Sequence, residues 1–177
     1  MSKIDNNTKD LTSLKKNYKE FDKILKILLI IGIIIISGFI FYAVFTPKPG
    51  YITFGVLNHD KKAENYPTNA KVGDNITFYA SVGNYLNRDS SFRIEILKGN
   101  NETIINVQTG SLNATSYINS STINLSHGEK WISSAFNVSF SDPGYNQIII
   151  AELWETNIEP NDKYWAIFWL RLNITQP

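Results

Sequence analysis

The sequence of 177 residues contains no cysteine. Disulfide bridges, cysteine-ligated zinc sites, iron–sulfur clusters and thiol catalysis are therefore excluded. Many small exported domains hold a thin core together with disulfides. Any exported part of this chain has to be stabilised by apolar burial and hydrogen bonding alone.

Histidine is also scarce, with only His59 and His127 in the chain. His59 lies beside Asp60, but no nucleophile elbow with its bracketing glycines accompanies either histidine. A glycine-rich loop that could cradle phosphates is absent as well. We interpret both histidines as surface turn residues, and we predict a protein that is not an enzyme and has no cofactor.

No part of the chain has the excess of positive charge that nucleic-acid binding needs. Residues 1–26 contain seven lysines and four acidic residues, and the chain after Thr46 contains ten basic and twelve acidic residues. A protein that binds nucleic acid displaces counterions with a dense basic stripe. Nucleic acid is therefore excluded as a partner.

One long apolar run stands out near the N-terminus. From Ile27 to Phe45 the chain has 19 residues without a charge. As a helix this run spans about 28 Å, close to the hydrocarbon thickness of a bilayer. Because a lone segment in lipid can satisfy its backbone only as a helix, we predict a transmembrane helix. A cleaved signal peptide is the alternative, but the run is long and ends in Tyr42-Ala43-Val44-Phe45.

Lysines cluster on the N-terminal side of this run, at positions 15, 16, 19, 23 and 26, whereas Lys48 is nearly alone on the other side. The positive-inside rule predicts a cytoplasmic N-terminus and an extracytoplasmic C-terminal part. The predicted organisation is a Lys-rich cytoplasmic tail (1–26), a transmembrane helix (27–46), a short proline-containing stalk (47–50) and an extracytoplasmic domain (51–177). We thus expect a single-pass protein of the cell membrane, with the lipid bilayer as a partner.

After the stalk the pattern changes to alternation of apolar and polar residues, which is typical of strands with one buried face. Turn sequences such as Asp142-Pro143-Gly144 separate the runs. The predicted strands are 51–57, 75–82, 92–98, 103–108, 122–125, 131–140, 145–153 and 164–174. This spacing predicts an all-β ectodomain, an antiparallel β-sandwich of immunoglobulin-like type.

Seven asparagines after the apolar run begin an Asn-x-Ser/Thr sequon. Several are flanked by apolar residues of the opposite strand parity, so their amides should face solvent. We predict covalent N-glycans, against the alternative that an asparagine-rich sequence produced most sequons by chance. The candidates are Asn75, Asn101, Asn113, Asn119, Asn124, Asn137 and Asn173.

The last predicted strand is apolar at both parities, in Tyr164-Trp165-Ala166-Ile167-Phe168-Trp169-Leu170. Since a sandwich strand has one core face, Trp165, Ile167 and Trp169 form a candidate contact patch for a protein partner or a glycan. The alternative is that a loop covers them. Acidic groups at Asp60, Glu64 and Asp74, or at Glu159 and Asp162, are interpreted as turn caps, so no metal site is predicted.

Several short segments carry a family resemblance, in order along the chain: Ala63-Glu64-Asn65-Tyr66-Pro67-Thr68, Lys71-Val72-Gly73-Asp74, Val82-Gly83-Asn84, Gly128-Glu129-Lys130-Trp131, Pro143-Gly144-Tyr145-Asn146-Gln147 and Trp169-Leu170. In these segments the chain resembles the extracytoplasmic domain of an archaeal membrane-protein family known only as domain of unknown function 1616. The resemblance implies a β-sandwich on the outer face of an archaeal envelope, and it implies no activity.

Three functional hypotheses follow. The first is a membrane-anchored surface module that binds a protein partner, as an accessory subunit of an envelope or membrane complex. The second is a glycosylated spacer or stator-like post. The third is a carbohydrate-binding or sensing domain.

The predicted orientation can be tested with protease on intact cells that carry the full chain with a tag at Met1. Because the lysine-rich flank should stay in the cytoplasm, protease is expected to cut beyond Pro47 and to leave the tag intact. Immunoblotting for the tag and for the C-terminal domain measures both ends. Loss of the tag with survival of the C-terminal domain would mean that the orientation is reversed.

Overall fold

A computed structural model describes residues 4–46, 49–158 and 161–176, with side chains from Asn17 onward. The chain divides into two compact units, Met1–Lys48 and Pro49–Pro177. The first unit is helical and the second consists of β-strands. Pro47, Lys48 and Glu159, on which parts of the sequence predictions rest, lie outside the described residues.

The first unit is one continuous helix, α1, over Ile4–Phe45. It contains the predicted apolar run and continues back through most of the lysine-rich tail. Its segment Asn17–Phe45 is long and apolar enough to cross a membrane, and none of the most apolar stretch is buried. Thr46 closes the helix, since its backbone N–H and its hydroxyl both donate to the carbonyl of Tyr42. The helix is therefore a candidate membrane anchor.

The second unit contains twelve strands. They are β1 (Tyr51–Leu57), β2 (Asn69–Lys71), β3 (Ile76–Tyr85), β4 (Ser90–Gly99), β5 (Ile104–Asn106), β6 (Gly110–Leu112), β7 (Thr115–Asn119), β8 (Ile123–Leu125), β9 (Lys130–Ile132), β10 (Phe136–Val138), β11 (Gly144–Thr156) and β12 (Lys163–Thr175).

These strands form two sheets and one hairpin. In the smaller sheet β1 pairs with one side of β3, and β9 and β10 pair with the other side. The larger sheet has the order β2-β12-β11-β4-β7, with β8 also on β4. Strand β2 runs parallel to β12, and the other pairs are antiparallel. Strands β5 and β6 form the separate hairpin.

The core lies between the two sheets and is filled by alternate residues of their strands. Period-two alternation predicts this arrangement, because one face of each strand has to leave water. The predicted antiparallel immunoglobulin-like sandwich is confirmed. The buried side chains of the core include Ile76, Phe78, Ala80, Val82, Phe92, Ile94, Ile96, Phe136, Val138, Ile149, Ala151 and Leu153.

Strand β11 is buried on both faces. Its residues Ile149, Ala151 and Leu153 face the main core. On the opposite face Ile148 and Ile150 form a second buried cluster with Leu97, against which Ile105 of the hairpin packs. The hairpin β5–β6 therefore acts as a cover over the outer face of the larger sheet.

The strand bounds differ most from the prediction where a polar side chain bonds the backbone of a neighbouring strand. The predicted strand 131–140 is two strands, because Ser133 bonds both backbone groups of Ala80: its amide donates to the carbonyl and its hydroxyl accepts from the amide. The short strands β2, β6 and β7 were not predicted, since they lack alternation. In contrast, β1 has the predicted bounds.

A fully buried asparagine, Asn84, holds one end of the sandwich together. Its side-chain amide donates to the carbonyls of Arg88 and Leu125, both at 2.8 Å, and its side-chain oxygen accepts from the amide of Leu86. Its backbone bonds Gly128 and Glu129. One side chain thus fixes the loop after β3 and the turn after β8.

We predict that Asn84→Ala lowers the free energy of unfolding of the β-domain by about 2–3 kcal/mol, because one buried and two part-buried backbone groups lose their partner. For a domain of this size the melting temperature should fall by about 6–12 °C, measured by circular dichroism. Asn69→Ala is the matched control, since the side chain of Asn69 is exposed and bonds the side chain of the neighbouring Thr68. Equal shifts for the two variants would contradict the role of Asn84.

Candidate functional site

The structure does not place Trp165, Ile167 and Trp169 on one surface, contrary to the expectation from their spacing. That any of them contacts a partner stays a prediction. The register of β11 and β12 shifts between Leu153 and Trp154, which leaves Trp165 without a cross-strand partner. Such a bulge reverses the facing of the bulged residue. Trp165 packs against the main core, while Ile167 packs against the second cluster on the outer face. Only Trp169, 40% exposed, remains a surface residue.

The indole of Trp165 contacts a buried carboxylate. Its Nε1–H donates to Oε2 of Glu155 at 2.9 Å, and Glu155 is 1% exposed. Oε1 of Glu155 lies 2.6 Å from Nη1 of Arg88, and the same guanidinium nitrogen lies 2.6 Å from the hydroxyl of Ser90. A charged group at the edge of the core is therefore paired on both oxygens, as a buried charge requires.

Opposing influences act on the pKa of Glu155. Burial is the largest influence and raises the pKa, but Arg88, Trp165 and Ser90 together lower it below the ordinary value of 4.5. The carboxylate therefore stays ionised at neutral pH, and the guanidinium stays tied to it.

The Arg88–Glu155 pair lies at a polar groove of about 350 Å³. The groove runs between the start of β4, the end of β8 and the end of β11. Thr156 adds a buried hydroxyl oxygen that has no hydrogen-bond partner among the described residues. Nine of its lining residues carry polar or charged side chains, and two, Leu125 and Ile158, are apolar.

A second buried carboxylate, Glu152, fixes the hairpin β5–β6 to the outer face of β11. Its Oε1 accepts from the amide and the hydroxyl of Ser111 at 2.6 and 2.7 Å, and its Oε2 accepts from the indole of Trp154 at 3.2 Å. Gly110 has a φ of +93°, and a Cβ there would lie 3.0 Å from this carboxylate. Glycine thus allows the hairpin to approach Glu152 closely.

Tyr164 is the cross-strand partner of Trp154 in the pairing of β11 with β12. Burial, followed by the charge of Glu152, raises the pKa of Tyr164 to about 12. The phenol of Tyr164 is therefore neutral at physiological pH, and its hydroxyl can donate a hydrogen bond.

The outward side of the hairpin is apolar. Ile104 and Leu112 are cross-strand partners and are 56% and 58% exposed, and Val107 in the turn is 65% exposed. Residues 104–112 contain no charged residue. Trp169 shares the outer face of the larger sheet, since it pairs with Ile150 beneath the hairpin. We call Ile104, Val107 and Leu112 the hairpin patch.

The sequon asparagines are placed on the surface, apart from Asn173, which is half-buried. Four of them use the side-chain oxygen as an acceptor: Asn119 from Arg93, Asn124 from Ser91, Asn137 from Thr77 and Asn173 from the amide of Asn146. This arrangement orients the amide and leaves its nitrogen, the atom that carries a glycan, for other contacts. Asn101 and Asn113 flank the hairpin. Glycosylation itself stays a prediction.

The two histidines and those of the acidic residues considered above that the structure describes lie in loops and turns. His59 pairs with Asp60, and His127 accepts from the amide of Asn87. Asp74 accepts from the amide of Lys71, as expected for a turn cap. Within residues 4–46, 49–158 and 161–176, no group of three or more histidine or acidic side chains is arranged to hold a metal.

Sequence reasoning missed both buried carboxylates. The available signal was the segment Ile148-Ile149-Ile150-Ala151-Glu152-Leu153-Trp154-Glu155, in which two acids stand within an otherwise apolar strand. A carboxylate at such a position has to find donors, because an unpaired buried charge is strongly unfavourable.

Comparison with known proteins gives a family and structural likenesses. The model of a family described as a domain of unknown function (DUF1616) matches residues 47–162. The crystal structure of the CARDB domain of the PF1109 protein from Pyrococcus furiosus, a complex with di-metal ions, is similar with a TM-score of 0.45 and 14% identity. The alignment covers 75% of this chain and 99% of that one.

A β-glucosidase from Listeria innocua is similar with a TM-score of 0.42 and 7% identity, over 74% of this chain and 17% of the enzyme. A β-glucosidase from Erythrobacter marinus has a TM-score of 0.41 and 9% identity, over 71% of this chain and 16% of the enzyme. No curated protein matches the sequence. At these identities and scores no function is carried over from the solved structures.

We predict that Glu155→Gln lowers the melting temperature of the β-domain by about 5–10 °C at pH 7, because the charge-assisted bonds to Arg88 and Trp165 are weakened. Since the folded pKa lies below the unfolded one, this stabilisation is present above pH 4.5 and is lost as the pH falls through the folded pKa.

Thermal melts of the wild type and the variant at pH 7, 5, 4 and 3 measure this difference. The two curves should converge as the pH falls through the folded pKa of Glu155, because its protonated side chain is then neutral like that of glutamine. Glu129→Gln is the control, because Glu129 is exposed and caps a turn through the amide of Ser126. A constant difference between wild type and Glu155→Gln across the range would contradict the ionic role of Glu155.

Proposed function

This chain belongs to the family of the domain of unknown function DUF1616, and on that premise we propose that it is a membrane-anchored, non-enzymatic β-sandwich module that binds a protein partner. The helix α1 holds the module at the membrane, and the sandwich lies on the extracytoplasmic side. The partner is another protein of the cell envelope or of a membrane complex, to which this chain is an accessory subunit.

The hairpin patch supports this proposal most directly. Exposed apolar side chains on a short, uncharged segment are typical of the centre of a protein–protein interface, where charged residues are depleted. A surface for lipid headgroups or nucleic acid would instead carry lysine and arginine. The partner we propose is therefore a protein with an apolar surface.

The two hydrogen bonds from Ser111 to Glu152, which we call the Glu152 clamp, support the same proposal. A covering hairpin needs only apolar contacts with β11, yet this one is also fixed by a buried carboxylate with two bonds from Ser111. These bonds hold the hairpin in one orientation. A rigid surface loses little conformational entropy on binding, so fixing the patch favours affinity.

A glycosylated spacer or post is the second candidate function. The exposure of six sequon asparagines supports it. Mass-spectrometric mapping of glycopeptides from the native protein distinguishes the two, since a spacer should carry glycans at Asn101 or Asn113, beside the hairpin, while a binding module should leave the hairpin patch accessible.

We predict that a photo-crosslinking amino acid at Leu112, placed in the full chain in its native host, forms discrete protein adducts on illumination. The same amino acid at Ile132 is the matched control, because Ile132 is 51% exposed on the outer face of the opposite sheet. Adducts are detected as shifted bands and identified by mass spectrometry.

A further change tests the clamp. Glu152→Ala removes the acceptor of Ser111, so adducts from position 112 should decrease when the illumination is carried out well below the melting temperature of the variant. Lipid adducts alone, no adducts at Leu112, or the same adducts at Leu112 and Ile132 would each contradict the proposed role of the hairpin patch.

A further inference from the structure

We propose that the groove at the Arg88–Glu155 pair binds a neutral sugar ring. This site is separate from the hairpin patch, since it lies at the end of the sandwich where β4 begins and β11 ends. The proposal rests on the shape of the groove, the chemistry of its lining and the buried groups beneath it.

The lining is suited to hydroxyl groups. Ser126 and Thr156 offer hydroxyls that both donate and accept, Asn157 offers an amide, and Asn124 offers its amide nitrogen. The hydroxyls of Ser90 and Ser91 also line the groove, but they are bonded to Arg88 and Asn124. A sugar ring carries several neighbouring hydroxyls, each of which also donates and accepts. The groove, at about 350 Å³, lies in the volume range of small-ligand sites.

The charges of the groove disfavour other ligands. Arg88 is neutralised by Glu155, and Asp89 at the rim leaves one net negative charge. An anion such as phosphate would be repelled by this arrangement. In the described part of the chain no cluster of acidic and histidine side chains offers a metal site either.

Buried groups give the groove a fixed floor. Glu155 is 1% exposed and is held by Arg88 through Oε1 and by Trp165 through Oε2. The hydroxyl oxygen of Thr156 is buried without a hydrogen-bond partner among the described residues. A hydroxyl of the ligand would supply that partner, and leaving the oxygen unpaired costs stability.

The sugar has two possible sources with the same chemistry. One is a free or envelope-bound glycan. The other is a glycan on the chain's own Asn124, whose side-chain oxygen accepts from Ser91 and which itself lines the groove. The experiment has to separate these sources.

The test uses the full chain without glycans, produced in a host that lacks N-glycosylation and placed in lipid nanodiscs, since glycoside detergents would compete. Methyl glucosides, mannosides and galactosides are titrated one at a time. The readout is the indole N–H resonance of Trp165, which bonds Glu155 directly. We expect at least one glycoside to shift this resonance with a saturable, millimolar curve.

Asp89→Ala and Ser126→Ala should each weaken that binding about fivefold, the loss expected for one hydrogen bond. Both residues are exposed, so the fold should be retained. Asp142→Ala in the turn before β11 is the matched control and should leave binding unchanged. Absence of a shift with every glycoside, or equal binding by all three variants, overturns the proposal.

The native glycosylated protein separates the two sources. If its Asn124 carries a glycan and free glycosides no longer shift Trp165, the groove holds the chain's own glycan. If free glycosides still bind, the groove serves a sugar from elsewhere. Either result supports a sugar site, provided that the unglycosylated chain binds.

Discussion

Strand β11 is buried on both faces, and the β-domain is organised around this constraint. The smaller sheet covers one face of β11, and the hairpin β5–β6 covers the other. Without these covers the strand would expose a large apolar patch to water. Two carboxylates lie within this strand, one on each face. Each has to be given donors, since an unpaired charge in this setting would cost several kcal/mol. Glu155 is paired with Arg88 and Trp165, and Glu152 with Ser111 and Trp154.

These two pairings also create the surfaces to which we assign function. On the outer face, the bonds from Ser111 to Glu152 fix a hairpin whose other side is apolar and uncharged. At the end of the sandwich, the Arg88–Glu155 pair forms the floor of a groove lined with hydroxyls and amides. The same physical requirement, that a buried charge be satisfied, thus positions both the hairpin patch, for which we propose a protein partner, and the groove, for which we propose a sugar. The fully buried Asn84 supports the second site, because it fixes the backbone of Arg88 and Leu125 at the rim.

Much of the architecture could be predicted from short-range patterns. Alternation in residues 51–57 predicted β1 with its observed bounds, and alternation elsewhere predicted the long strands of both sheets. The prediction failed where a strand depends on a distant partner. Ser133 interrupts the strand predicted at 131–140 by bonding Ala80. Strand β6 is held by the bonds of Ser111 to Glu152, which lies 41 positions further along the chain. Trp165 was assigned to the wrong face, because the bulge opposite Leu153 and Trp154 shifts the parity of β12.

By itself the sequence determined the apolar run of α1, the positions of the sequons, the absence of disulfides and the all-β character of the second unit. Those properties follow from composition and from local periodicity, which do not depend on what lies across the sheet. Only the tertiary structure decided which side of β12 carries each aromatic residue, which strand is covered on both faces and which donors meet Glu152 and Glu155. The reason is that register, bulges and buried pairings are set between residues far apart in the chain, and no local pattern records them.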